Sequence, residues 1–209
     1  MGPPDKPVSP VVAIQVKLLR RAAQIHESRR NAPQDAIAVL ERAVALVPED
    51  RDVLLALCDA YAASGRSQDA ANVLERIIAS FAGRRTKELA IFHQRHGKVR
   101  LELGDKAAAL RELDLAFKID PGSITVLRDL GLLAFETGDL DRAQKSFRAL
   151  LLQRLEPTSG ITKAEVFYYL GEVAAASGDK AKAQQMFERA LENDAGLERA
   201  KTRLEALKG

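Results

Sequence analysis

A glycine followed five residues later by an alanine recurs four times along this chain, each time ahead of a large apolar residue. No other feature constrains the fold as strongly. The copies are SGRSQDAANVLERI from Ser64, LGDKAAALRELDLA from Leu103, TGDLDRAQKSFRAL from Thr137 and SGDKAKAQQMFERA from Ser177. Their glycines, Gly65, Gly104, Gly138 and Gly178, lie 39, 34 and 40 residues apart, and the alanines are Ala70, Ala109, Ala143 and Ala183. A weaker copy lies upstream, where Ala36 precedes Ala70 by 34 residues and is followed by Leu40, Ala43 and Pro48. A fixed period of this size marks a repeat architecture, in which one unit cannot bury its apolar face alone and stacked neighbours can. The two longer spacings locate short insertions near Arg85–Leu89 and Thr158–Lys163.

Each period reads as two helices. Leu54, Leu57, Cys58 and Tyr61 follow i, i+3, i+4, i+7 spacing, as do Leu127, Leu130, Gly131 and Ala134, and Phe167, Leu170, Gly171 and Ala174. The glycine of the motif then ends the first helix, because it enters the left-handed region without a Cβ clash. Asp105, Asp139 or Asp179 follows and offers an oxygen to cap the second helix. Pro48 and Pro121 stand where a second helix must stop. Gly97, Gly131 and Gly171 share one slot in three first helices. A glycine inside a helix costs about 1 kcal/mol relative to alanine. Its recurrence therefore predicts a close approach of the partner helix, with Phe147 or Phe187 filling the space beside it. Composition agrees, since 34 Ala and 28 Leu make 62 of the 209 residues and Trp is absent. That balance suits packed helices and argues against an all-β fold.

The pattern resembles the tetratricopeptide repeat, a 34-residue helix–turn–helix unit with large, small and aromatic residues at fixed slots. One copy supplies Leu127, Leu130, Gly131, Ala143 and Phe147, and the next supplies Phe167, Leu170, Gly171, Ala183, Phe187 and Ala190. An earlier copy supplies Leu54, Leu57, Tyr61, Ala70 and Leu74. The first copy departs, with Gln24 in the small-residue slot and Glu27 in the aromatic one. The resemblance spans about residues 17–197 and implies an all-α fold: a right-handed α–α superhelix of about five helix–turn–helix repeats plus a C-terminal capping helix. The expected organisation is a disordered Pro-rich segment or linker over 1–9, a repeat array over 10–197 and a solvating helix over 198–209. Repeats are expected at about 10–50, 51–84, 86–123, 124–157 and 162–197. Ser9 and Pro10 suit the start of a helix, and Thr162-Lys-Ala-Glu165 is a capping box. Leu204 and Leu207 are expected to cover the last repeat, while Arg199, Lys201, Arg203 and Glu205 face water.

Little here suggests catalysis. His93 and His96 share a helix face, but they fall on core slots and no third or fourth ligand of metal-binding spacing accompanies them. Cys58 falls in the small-residue slot, beside Asp59, which suits a buried inert thiol. The Gly-Asp pairs are turn chemistry, since no strand precedes them to make a phosphate loop. The expectation is a protein that is not an enzyme, with no cofactor, no metal and no small-molecule substrate. A single cysteine fits a reducing compartment, so a cytoplasmic setting is expected, and the Ala- and Arg-rich, Cys-poor composition suggests a bacterial one, without a membrane span. Residues 84–100 carry Arg84, Arg85, Lys87, Arg95, Lys98 and Arg100 against Glu88. A nucleic-acid ligand is disfavoured because no aromatic platform accompanies these cations.

The resemblance implies that the first helices line a concave face where ligands lie. The residues pointing outward from the core stripe on that side are Asp59, Gln94, Arg95, Lys98, Leu101, Arg128, Leu132, Phe135, Tyr168 and Tyr169. Cations beside exposed apolar residues suit an acidic, partly apolar peptide or helix. The expected function is a protein-interaction scaffold, and the alternative is a structural spacer or self-association module, which leaves a homo-oligomer open. Some members of the family clamp the terminal carboxylate of chaperones. The matching slots here hold Arg21, Ile25, Ala56, Ile91 and Arg95, only two of them chemically similar, so that role is not expected.

Overall fold

The computed structural model describes residues 9–30 and 32–208, so the expected segment over 1–9 lies outside the described residues except for Ser9. Every α-helix and turn among them belongs to an all-α fold, and no strand occurs. The helices divide into two compact units that meet in sequence at Asp105 and Lys106.

The N-terminal unit holds α1 (Pro10–Arg30), α2 (Pro33–Leu46), α3 (Arg51–Ala63), α4 (Ser67–Ser80) and α5 (Lys87–Glu102). Local chemistry sets where they begin. Ser9 Oγ accepts the Val12 amide at 3.3 Å, the Asp50 carboxylate accepts that of Val53 at 3.0 Å, and Thr86 Oγ1 accepts that of Leu89 at 3.2 Å. Each carries one of the amide donors that the first turn leaves unpaired. Each helix packs on the next along the chain, and Ile37, Leu40, Leu54, Leu74 and Ile77 are buried between them.

The C-terminal unit holds α6 (Lys106–Ile119), α7 (Ile124–Glu136), α8 (Leu140–Leu150), α9 (Lys163–Ala176), α10 (Lys180–Asn193) and α11 (Glu198–Lys208), with a single 3-10 turn at Pro157–Ser159. Consecutive helices again pack on one another. Turn chemistry is dense between α9 and α10. Gly178 has φ +80°, the Asp179 amide returns to the Ala174 carbonyl at 2.9 Å, and the Asp179 carboxylate accepts the Lys182 amide at 3.0 Å. One aspartate thus finishes one helix and starts the next. The capping box opens α9, with Thr162 Oγ1 accepting the Glu165 amide at 3.1 Å and Glu165 accepting the Thr162 amide at 2.9 Å.

The small-residue slot has the packing role that its recurrence implied. A Cβ placed on Gly131 would stand 2.9 Å from the Phe147 ring, and one on Gly171 would stand 2.5 Å from the Phe187 ring. Both phenylalanines are fully buried. Leu204 and Leu207 of α11 pack against the cluster of Ala174, Ala183 and Phe187.

Candidate interaction surface

In the N-terminal unit the first helices α1, α3 and α5 are joined by ion pairs along one face. Arg20 of α1 meets Asp52 of α3 at 3.5 Å, Arg51 of α3 meets Glu88 of α5 at 3.1 Å, and Asp59 of α3 is paired with Arg95 of α5. Such exposed pairs contribute at most about 1 kcal/mol each. Their value here is positional, because they bring the predicted residues Asp59 and Arg95 together. Arg95 is half-buried and its charge is largely answered by Asp59. Lys98 is exposed, and the exposed apolar residues Ile91 and Leu101 flank it on α5. Gln94 departs from expectation: it is buried, so it presents little to a ligand. The reason is the width of the buried arc of α5, which takes in Leu89, Ala90, Phe92, His93, Gln94, His96, Gly97 and Val99.

In the C-terminal unit the predicted residues lie on α7 and α9, and most are engaged by neighbours. Arg128 donates to the Asp129 carboxylate at 2.8 Å and to the Ser159 carbonyl at 3.3 Å, so its guanidinium is folded onto the inserted loop. Leu132, Phe135, Tyr168 and Tyr169 are half-buried against the core of this unit. The Tyr169 ring stacks on Phe147 at 5.1 Å, nearly parallel, and meets Phe135 edge-on at 6.3 Å. Tyr168 lies under the Arg199 guanidinium, 4.5 Å from the ring centre, and burial pushes its hydroxyl pKa up. Arg199 also pairs with Glu165 at 2.7 Å, and Arg203 pairs with Glu172. Two cations expected to face water therefore turn back onto α9, because their long side chains find carboxylates and an aromatic face within reach. Sequence spacing named Tyr168, but nothing local in α11 signals that Arg199 would cover it.

Two further titratable groups are held protonated by their surroundings. The Cys58 thiol is buried, 3.8 Å from the Ala70 carbonyl, and burial pushes its pKa up to about 11. Tyr61 is likewise raised, to about 12, by burial and by its 2.7 Å hydrogen bond to Glu41. Groups held protonated in this way are the reverse of activated nucleophiles. His93 and His96 are buried on α5. Among the described residues no group of three or more His, Cys, Asp or Glu is placed to hold a metal ion, and no helix is long and apolar enough to cross a membrane.

Family profiles described as tetratricopeptide repeat match residues 29–89 and 122–195. No curated protein matches the chain by sequence. Solved structures of similar fold include a MamA protein, 17% identical with a TM-score of 0.71, covering 88% of this chain and 93% of that one. MamA from Desulfovibrio magneticus RS-1 is 20% identical with a TM-score of 0.67, covering 88% of this chain and 97% of that one. YrrB, described as a TPR protein with an unusual peptide-binding site, is 21% identical with a TM-score of 0.67, covering 90% of each chain. At such identities the likeness speaks for the fold.

Proposed function

This chain belongs to the tetratricopeptide repeat family, and on that premise we propose that it is a non-catalytic protein-interaction scaffold that holds a partner peptide or helix against its first helices. One observation carries the reading: α5 presents Ile91 and Leu101, 54% and 39% exposed, around the exposed Lys98 and beside Arg95. Apolar anchors beside Lys98, and beside an Arg95 shared with Asp59, suit an acidic, partly apolar segment, with the aliphatic side chains supplying most of the affinity and the charges supplying orientation and on-rate. The stretch of α7 and α9 in the C-terminal unit contributes less, since Arg128, Tyr168 and Tyr169 already have partners within the unit. The description of YrrB as a peptide-binding TPR protein is in keeping with a peptide ligand.

The test is a capture experiment followed by a titration. The wild type and a variant carrying Arg95→Glu, Lys98→Glu and Arg128→Glu are used as bait in lysate of the source cells, and captured proteins are identified by mass spectrometry. Binding of each purified candidate is then measured between low and high salt. Loss of affinity by tenfold or more in the variant, together with loss of the salt dependence, supports the reading. Unchanged affinity and salt dependence overturn it. A dilution-stable oligomer in light scattering that protects Ile91 and Leu101 favours the self-association alternative instead.

A further inference from the structure

A second apolar face lies at the end of the N-terminal unit, away from the ion-paired surface. Helix α1 carries two apolar stripes. One includes Val16 and Ala23 and is buried, with Val16 in a cluster with Ala43, Val47 and Val53. The other runs through Val11, Ile14 and Leu18 at i, i+3 and i+7, and these side chains are 66%, 60% and 65% exposed. Leu46 of α2, 41% exposed, joins them. Leu18, Leu19, Ala45 and Leu46 line a groove of about 490 Å³ between the two helices, with Gln15 and Arg42 at its edges. Isolated exposed aliphatics are ordinary, but three along one stripe, ending at Leu18 where Leu46 joins it at the groove, mark a docking face.

We infer that this groove docks an amphipathic helix with acidic flanks, supplied by a partner protein. The occupant is a helix because Leu18, Leu19, Ala45 and Leu46 form an apolar trough between two helices, the setting in which ridges of a third helix seat. Its flanks are acidic because Arg42 lines the groove and Lys17 and Arg21, three residues after Ile14 and Leu18, adjoin the exposed stripe on α1; all three are exposed. Among the described residues Arg21 donates to the neutral Gln24 side-chain oxygen, at 3.2 Å. A second copy of this chain fits the groove poorly. A two-fold pairing of the face with itself would set those cations against their own copies. The outward side of α11 offers Thr202 and Glu205 rather than an apolar stripe.

The inference uses a different surface from the proposed function and is tested separately. The probe is a fluorescein-labelled synthetic helix of about five turns, roughly 18 residues, with leucines at i, i+3, i+4 and i+7 and glutamates on both flanks. A control carries lysines in place of the glutamates. Fluorescence anisotropy against the full chain is expected to show the glutamate peptide binding at least tenfold tighter than the lysine peptide. Ile14→Gln with Leu18→Gln is expected to weaken it at least tenfold. Because the same peptide suits the α5 surface, the comparison is repeated in an Arg95→Glu, Lys98→Glu background, where the preference is expected to persist and Lys17→Glu with Arg42→Glu is expected to invert it. Ile14, Lys17, Leu18 and Arg42 are all exposed, so folding is expected to survive, and thermal melts check it. Should the glutamine pair fail to fold, the inversion by the charge-swapped pair decides. Equal affinity for both peptides overturns the inference, as does loss of binding in the Arg95 and Lys98 variant. A concentration-dependent dimer in sedimentation that Ile14→Gln with Leu18→Gln dissolves also overturns it, in favour of a second copy.

Discussion

The ring of Phe187 occupies the space that a methyl group on Gly171 would need, with a Cβ there standing 2.5 Å from its Cε1. The ring is fully buried and cannot swing away. Gly171→Ala would gain about 1 kcal/mol of helix propensity, but overpacking a filled core costs about 1–3 kcal/mol. The expected result is a net loss of up to about 2 kcal/mol in urea unfolding, with a smaller loss for Gly131→Ala, whose contact is 2.9 Å. Pairing Gly171→Ala with Phe187→Leu should cost less than the sum of the two single changes. Strict additivity would mean that the ring and the glycine do not share the space.

The inserted loop between α8 and α9 is tied down by Arg128. Its guanidinium donates to the Ser159 carbonyl and covers Gly160, which has φ +70°. Arg128→Ala should raise amide hydrogen exchange across residues 157–161 several-fold while leaving α7 protected. Gly160→Ala meets both a left-handed backbone and the guanidinium, and should cost at least about 1 kcal/mol. Unchanged exchange in the loop would show that its own 3-10 turn holds it.

Alkaline pH should weaken the fold through Cys58. The folded thiol titrates near 11, above its ordinary value of 9.0. Its contribution is thus fully present below about pH 9 and is lost as pH rises towards 11, because the unfolded chain ionises first. The expected difference between pH 8 and pH 11 is of order 2 kcal/mol. Cys58→Ala should flatten the unfolding midpoint over that window relative to wild type. At pH 8 only about one thiol in a thousand is ionised, so disulfide reagents should modify Cys58 slowly until urea opens the chain.

Helix α11 should stabilise its neighbours selectively. Leu204 and Leu207 are half-buried against the cluster that contains Phe187. Replacing both with alanine should cost about 2 kcal/mol, less than for fully buried leucines. Hydrogen exchange is expected to rise in α9 and α10 and to stay unchanged in α3 and α4. A uniform rise would mean that the chain opens only as a whole.

What the sequence made legible was local or periodic. The capping box at Thr162 and Glu165, the turn at Gly178 and Asp179, and the match of Gly171 to Phe187 each rest on fixed spacings, so they could be named before any coordinates. The candidate surface was less legible, because exposure depends on how wide a buried arc becomes and on where long side chains fold. Gln94 and Arg95 are only one residue apart on α5, yet one is buried and the other half-exposed. Arg128 reads as an outward cation until the loop that it grips, more than thirty residues later, is placed beside it. The same holds for Arg199 above Tyr168, where two helices at either end of a hairpin had to be brought together before the pairing existed.

Within each unit the helices lean on their immediate successors in the chain. A ribosome delivering this polypeptide therefore releases its segments in the order in which they need one another. Each emerging pair finds its partner already outside the exit tunnel, and little apolar surface has to wait for a distant stretch to be synthesised.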